Sequence, residues 1–112
     1  MIDLNTFKDH QFLDVTTSGR RSGQGRAVEL WFVVYQDQVY LMAEHHQATG
    51  WVKNLQKSSA ASVALAGNTL SVRARILSPD EDKLEWQAVA QQFQNKYGWS
   101  AGLPVALESG VE

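Results

Sequence analysis

Nine consecutive residues, Ser18-Gly19-Arg20-Arg21-Ser22-Gly23-Gln24-Gly25-Arg26, contain three guanidiniums, two hydroxyls and three glycines. Arginine presents a planar fork of donors that matches phosphate oxygens, and glycine lets backbone N–H groups come close to an anion. The segment therefore fits a phosphate-binding loop. A solvated basic turn between two strands has the same composition, so the residues alone leave both readings open. Two other phosphate loops do not fit. No Gly-Lys-Ser/Thr opens a helix here. Gly23-Gln24-Gly25 runs on to Val28 where a dinucleotide fingerprint needs glycine, and then enters a strand rather than a helix.

Other candidates are weaker. Adjacent side chains such as His45 and His46 rarely chelate one ion together, and His10 is the only further histidine. Glu29 stands among apolar strand neighbours, either as an exposed alternate position or as an acid paired with Arg26; exposure is the simpler reading. Arg73 and Arg75 share a strand face from which they could reach the same phosphate or a partner subunit; surface ion pairing is the simpler reading. Ser18 and Ser22 lie in no Gly-x-Ser-x-Gly turn, so a serine hydrolase is not indicated. Single-stranded nucleic acid is disfavoured, because Trp31 and Trp51 accompany the basic loop but no extended basic groove does.

These residues must be positioned by strands. Residues 12–17 are short and β-prone and stop at Ser18-Gly19, giving a first strand and then the loop. Residues 26–35 alternate Val28, Leu30, Phe32 and Val34 against Ala27, Glu29, Trp31 and Val33, a single long strand whose second half is apolar on both faces. Gln36-Asp37 marks a tight turn into a return strand over 38–43. Thr49 is placed to cap a short helix over 50–58 in which Trp51 and Leu55 share a face. A hairpin follows, 60–66 and 69–77, turning at Gly67-Asn68. Ser78-Pro79-Asp80-Glu81 reads as a capping box that starts a second helix. Its stripe is Trp86, Val89, Ala90, Phe93 and Tyr97, and Gly98 caps its end; Trp99 beyond it is placed to edge a pocket or a dimer contact. Pro104 to Glu108 reads as a last strand at a sheet edge, where proline is tolerated. Strands joined by short turns predict a mainly β (α+β) antiparallel sheet curled into a barrel.

The chain has 112 residues, enough for one core, so a single domain over 1–112 is expected. Its formal charge of −2 gives no global attraction to nucleic acid or anionic membrane, which leaves anion binding to the local arginine cluster. With no cysteine there is no disulfide, thiolate metal site or cysteine nucleophile. The start, Met1-Ile2-Asp3-Leu4-Asn5, does not read as a leader, and no run is long enough to span a membrane, so a cytoplasmic protein is expected.

Residues 16–26, continuing through Ala27-Val28-Glu29-Leu30-Trp31-Phe32-Val33, resemble the Thr-Gly-Arg-Lys-Ser-Gly-x-x-Arg-x-x-x-Leu signature of the deazaflavin (F420)-dependent nitroreductase family. That family belongs to the pyridoxamine 5'-phosphate oxidase-like, FMN-binding split barrels. Trp51-Val52-Lys53-Asn54-Leu55 resembles its Trp-x-x-Asn-Leu motif, and the strands at 60–66 and 72–77 resemble its paired strands, so the likeness covers residues 12–108. It implies a six-stranded antiparallel split β-barrel with one short and one longer accessory helix.

By the same resemblance, Arg20, Arg21, Ser22 and Arg26 surround the phosphate of deazaflavin F420 or FMN. Trp51 and Asn54 border the cofactor, and Leu41, Met42 and Ala43 wall the ring. The implied activity is hydride transfer to a small organic acceptor, with no catalytic side chain required, in a homodimer. The family's Gly-rich, Pro-containing stretch before Trp-x-x-Asn-Leu is replaced here by Glu44-His45-His46-Gln47-Ala48-Thr49. F420, FMN, a tetrapyrrole-like ligand or no ligand thus stay open, as does a non-catalytic carrier module on the same barrel.

Overall fold

The computed structural model describes residues 4–109; Met1-Ile2-Asp3, read above for a leader, and residues 110–112 lie outside them. Strands β1 (Phe12–Ser18), β2 (Gly25–Trp31), β3 (Val33–Tyr35), β4 (Gln38–Ala43), β5 (Ala60–Leu65), β6 (Asn68–Ile76) and β7 (Leu103–Ser109) form one curled antiparallel sheet. Helix α1 (Gly50–Lys57) follows β4, and helix α2 (Lys83–Tyr97) follows β6. The mainly β split-barrel class is as expected, with seven strands in place of six.

The extra strand arises because the run over 26–35 is not continuous. The sheet order is β2-β1-β5-β6-β7-β4-β3, so the two halves of that run lie at opposite edges and Phe32 between them joins one edge to the other. A residue that changes edges leaves the ladder, and its buried backbone groups need other partners. The end of α2 supplies them. The Phe32 N–H donates to Tyr97 Oη at 3.1 Å, and the Phe32 carbonyl lies 2.6 Å from Tyr97 Oη and 3.0 Å from Lys96 Nζ. Tyr97 Oη also lies 2.8 Å from the Gln11 carbonyl, and Lys96 Nζ also donates to the His10 carbonyl. The Lys96 ammonium sits 4.3 Å from the centre of the Phe32 ring, a cation–π contact. Burial pushes the Tyr97 hydroxyl pKa up and the Lys96 pKa down.

Both faces of β4 are covered, which divides the apolar residues between two layers. Val39, Leu41 and Ala43 face the barrel interior with Val15, Val63 and Val105, while Tyr40 and Met42 pack with Val89 and Phe93 of α2. Phe93 and Val89 are fully buried, and burial of side chains of this kind stabilises by roughly 1.5–3 kcal/mol each. Arg75 secures the start of α2, donating to Glu85 at 2.7 Å and Glu108 at 3.1 Å and lying 3.5 Å from Asp82. The Tyr40 hydroxyl donates to the same Glu85 carboxylate at 2.6 Å. The Arg75 hydrogen bond, aided by that of Tyr40, holds the Glu85 carboxyl below its ordinary pKa, against the opposing effect of burial.

Four local expectations change. Ser78 does accept from the N–H groups of Asp80 and Glu81, but the reciprocal acceptor is Asp82, whose carboxylate takes the Ser78 N–H at 2.8 Å; α2 therefore begins at Lys83 rather than Pro79. Thr49 precedes α1 without a side-chain capping bond. The second hairpin turns at Ala66-Gly67, one residue early, because both adopt the left-handed conformation (φ 51° and 82°).

The last change concerns β7, which lies between β6 and β4 and not at an edge. Pro104 survives there because the N–H and C=O of a strand residue face the same neighbour. Its carbonyl accepts from Leu77, just past the end of β6, so the missing N–H falls where the ladder has already ended. Elsewhere, Gln36 and Asp37 form the expected two-residue turn although both have positive φ, and Gly98 caps α2 at φ 72°. Among the described residues no helix is long and apolar enough to cross a membrane.

The junction at Phe32 is directly testable. Tyr97→Phe removes the acceptor for a buried N–H, so chemical denaturation should show a loss of about 2 kcal/mol. A loss under about 0.5 kcal/mol would show that the junction does not depend on this hydroxyl.

Candidate functional site: two clefts beside the first turn of α1

The arginine-rich segment is a closed loop. The Gly19 N–H donates to the Gln24 carbonyl at 2.7 Å, the Gly23 N–H to the Gly19 carbonyl at 2.7 Å, and the Gln24 N–H to Ser22 Oγ at 3.2 Å. A Cβ on Gly19 would stand 3.1 Å from Ser22 Oγ and 3.2 Å from the Gln24 carbonyl, so the closure favours glycine. Asn54 fastens this loop to α1. Its Oδ1 accepts from the Arg20 N–H at 3.2 Å and from Arg20 Nη1 at 3.0 Å, and its Nδ2 donates to the buried Thr17 hydroxyl at 3.0 Å. Lys57 Nζ adds a bond to the Arg20 carbonyl at 2.6 Å. Three of Asn54's four hydrogen-bonding capacities are thus used, which is how a polar side chain only 6% exposed is accommodated.

The result is a cleft of about 410 Å³ lined by Gly19, Arg20, Arg21, Ser22, Arg26, Gly50 and Asn54. Among the described residues none of its three guanidiniums has a carboxylate partner. They converge with the first turn of α1, whose N–H groups lack helical acceptors and which begins at Gly50, where no Cβ covers the backbone. Such a cleft attracts an anion.

A second cleft of about 570 Å³ lies on the other side of the same turn, lined by Phe12, Glu29, Leu30, Trp31, Met42, Glu44, His45, Thr49, Trp51 and Trp99. Phe12 and Trp31 are opposed in the β1–β2 ladder and are 47% and 40% exposed, unusual for rings of this size. Trp31 stacks on Tyr97 with centroids 4.4 Å apart and planes 4° from parallel, and meets Trp99 edge-on at 6.4 Å. Gly102 allows this wall to close, since a Cβ there would lie 2.5 Å from Met42 and 2.7 Å from Trp99. Among the described residues the buried Thr49 hydroxyl oxygen has no partner, the kind of group that a bound polar atom satisfies.

Gly50 lines the first cleft and its neighbours Thr49 and Trp51 the second, so three consecutive residues separate them. Of the residues named from sequence, Arg20, Arg21, Ser22, Arg26 and Asn54 come together in the first cleft, and Met42 and Trp51 in the second. Leu41 and Ala43 do not join them: alternation along β4 turns both into the barrel core, at 0% and 1% exposure, so they line neither cleft. Among the described residues Glu29 is exposed and has no ion-pair partner, and Arg75 is committed to carboxylates on α2 and β7. Among the described residues no three metal-ligating side chains gather, and His46 meets the Ala101 carbonyl at 2.9 Å.

The reading by sequence assigned no role in the site to Phe12, Leu30, Glu44, Thr49 or Gly50. Trp99, placed just past a helix-ending glycine, carried a signal, and Glu29, Trp31 and His45 were weighed for other roles. The others come together through pairing between distant segments.

A comparison with family models matches residues 4–106 to the F420H(2)-dependent quinone reductase family, which bears out the resemblance carried by the loop and the Trp51–Leu55 motif. A comparison with curated proteins yields no sequence match. Among solved structures, HutZ, the heme storage protein from Vibrio cholerae, is 15% identical with a TM-score of 0.76, the match covering 97% of this chain and 89% of that one. An F420-H2 dependent reductase, FDR-A, is 21% identical with a TM-score of 0.65, covering 88% and 95%. An FAD-binding protein from Mesorhizobium loti is 10% identical with a TM-score of 0.70, covering 96% and 84%. These likenesses show the fold.

Asn54 is the hinge of the first cleft, and Asn54→Leu should release the loop. Hydrogen exchange at the amides of residues 19–24 should quicken, with a stability loss of about 1–3 kcal/mol. Unchanged exchange would mean that the loop closes without α1.

Proposed function

Since the chain belongs to the F420H(2)-dependent quinone reductase family, we propose that it is a cofactor-dependent reductase in which one bound deazaflavin spans both clefts. The observation that carries the reading is the pairing of an arginine-lined anion cleft with an aromatic cleft across the three residues Thr49-Gly50-Trp51. A phosphate held by Arg20, Arg21, Ser22, Arg26 and the N–H groups of the first α1 turn leaves the attached ring system beside Trp51. There Met42, Trp51 and Leu30 would give it apolar walls, and the Thr49 hydroxyl, without a partner among the described residues, would be free to hydrogen-bond it. The family points to F420 over FMN.

When bound and reduced, the cofactor supplies a hydride to a small planar organic acceptor. The protein's own part is to bind, orient and dry the site. The arginine loop fixes one end of the cofactor, Trp51 and Met42 fix the ring plane, and Trp31 and Trp99 exclude water from the space where the acceptor approaches. No side chain is assigned as acid or base. Leu41 and Ala43 contribute by seating β4 so that Met42 faces the cleft.

The reading includes a homodimer. The outer face of β1, β2, β5 and β6 carries the small side chains Thr16, Ala27, Ser62, Ala64 and Ser71 beside the charged Asp14, Glu29 and Arg73, and α2 packs instead on the side of β3, β4 and β7. A second reading, a carrier that binds the cofactor without turnover, is favoured by the Glu44–Thr49 stretch. It folds as a tight turn with His46 at φ 54° in place of a glycine-rich segment.

Titration of the purified protein with F420 and with FMN, followed by cofactor fluorescence, tests the reading. Saturable quenching is expected, tighter for F420. An Arg20→Ala, Arg26→Ala double variant should weaken it at least about tenfold, the loss of one charged hydrogen bond being enough for that factor. No saturable binding of either cofactor would overturn the proposal, whereas binding without oxidation by any acceptor would favour the carrier.

A further inference from the structure

Charge is sorted between the two clefts. All the arginines of the site are on one side of Thr49-Gly50-Trp51, and no lysine or arginine lines the aromatic cleft. Its charged side chains are Glu29, from β2, and Glu44, from the end of β4. Among the described residues neither carboxylate has a hydrogen-bond or ion-pair partner, and no arginine or lysine neutralises them. The same cleft is lined by Phe12, Trp31, Trp51 and Trp99, whose ring faces are electron-rich and attract cations. Exposed carboxylates lining an aromatic cleft with no cationic side chain give it a negative potential.

From this arrangement we infer that Glu29 and Glu44 are specificity-determining residues: the acceptor is a planar aromatic molecule without negative charge, and cationic acceptors are preferred to neutral ones. The inference rests on the reductase reading and adds the substrate class to it. The same potential that admits such an acceptor repels a sulfonated or carboxylated analogue, while the anionic end of the cofactor is held away from it by the arginine cleft. The electron balance is ordinary. The reduced cofactor is oxidised by loss of one hydride to the acceptor and one proton to water. A neutral quinone takes that hydride and one proton from water to become a quinol. A planar aromatic cation takes the hydride alone and becomes its neutral reduced form.

The test uses the full chain with reduced F420 as electron donor and three naphthoquinones: menadione, a sulfonated naphthoquinone and one carrying a trimethylammonium arm. The quantity read is the ratio of kcat/KM for the cationic to the anionic acceptor. Comparing that ratio between the wild type and a Glu29→Gln, Glu44→Gln double variant cancels the intrinsic reactivity of each quinone. At low ionic strength the ratio should fall at least about fivefold in the variant, and the difference should shrink as salt is added. Both glutamates are exposed, and a thermal melt of the variant checks that it folds. A ratio unchanged by the substitutions, with turnover intact, overturns the charge preference and leaves the reductase reading standing. Saturable F420 binding with no turnover of any of the three overturns the reductase reading itself.

Discussion

A strand that starts on one edge of a sheet and finishes on the other must pass through a residue with no ladder partners. Here that residue is Phe32, and the polar groups it would bury unpaired are taken up by Tyr97 and Lys96 at the end of α2. Much else depends on this exchange. It brings β2 and β3 to opposite edges of one curled sheet, so the barrel closes through a single peptide segment. It fixes the plane of Trp31, which stacks on the same Tyr97 ring, and so sets one wall of the aromatic cleft. Packing beyond the junction, through Phe93 and Val89, and the Arg75 ion pairs at the far end of α2 keep the helix in register with β3, β4 and β7.

The second organising element is Asn54. One buried amide joins β1, the loop and α1, through Thr17 and Arg20, and thereby holds the arginine loop against a helix start. Concentrating positive charge there while carboxylates and indoles occupy the adjacent cleft gives the molecule two chemically opposed pockets with a shared wall. A ligand that is anionic at one end and planar at the other matches that pattern at both ends, which neither pocket alone would require.

The loop and the α1 motif could be read in the sequence because their chemistry is local: arginines, glycines and an asparagine at fixed spacing keep their meaning wherever the strands go. The hairpin at Gln36-Asp37 and the stripe of α2 were legible for the same reason, and the second hairpin was legible to within one residue of its turn at Ala66-Gly67. The break at Phe32 was not, since Val28 to Val34 alternates without interruption and the groups that permit the break lie 65 residues away. Pro104 was assigned to an edge on the general behaviour of proline, and only the end of β6 beside it explains an interior strand. Ser78 was recognised as a cap, but Asp82 and Glu81 are equally plausible reciprocal acceptors by composition. The aromatic cleft was the least legible feature, because Phe12, Trp31, Met42, Trp51 and Trp99 come from five separate elements or loops.

The central claim is that one cofactor occupies both clefts at once, and amide spectra of isotope-labelled protein during titration with F420 test it most directly. The account predicts that the amides of Gly19 to Gln24, those of Gly50 and Trp51, and the Trp51 indole N–H all shift together along a single binding curve. Shifts confined to one cleft, or two sets that saturate at different concentrations, would contradict it.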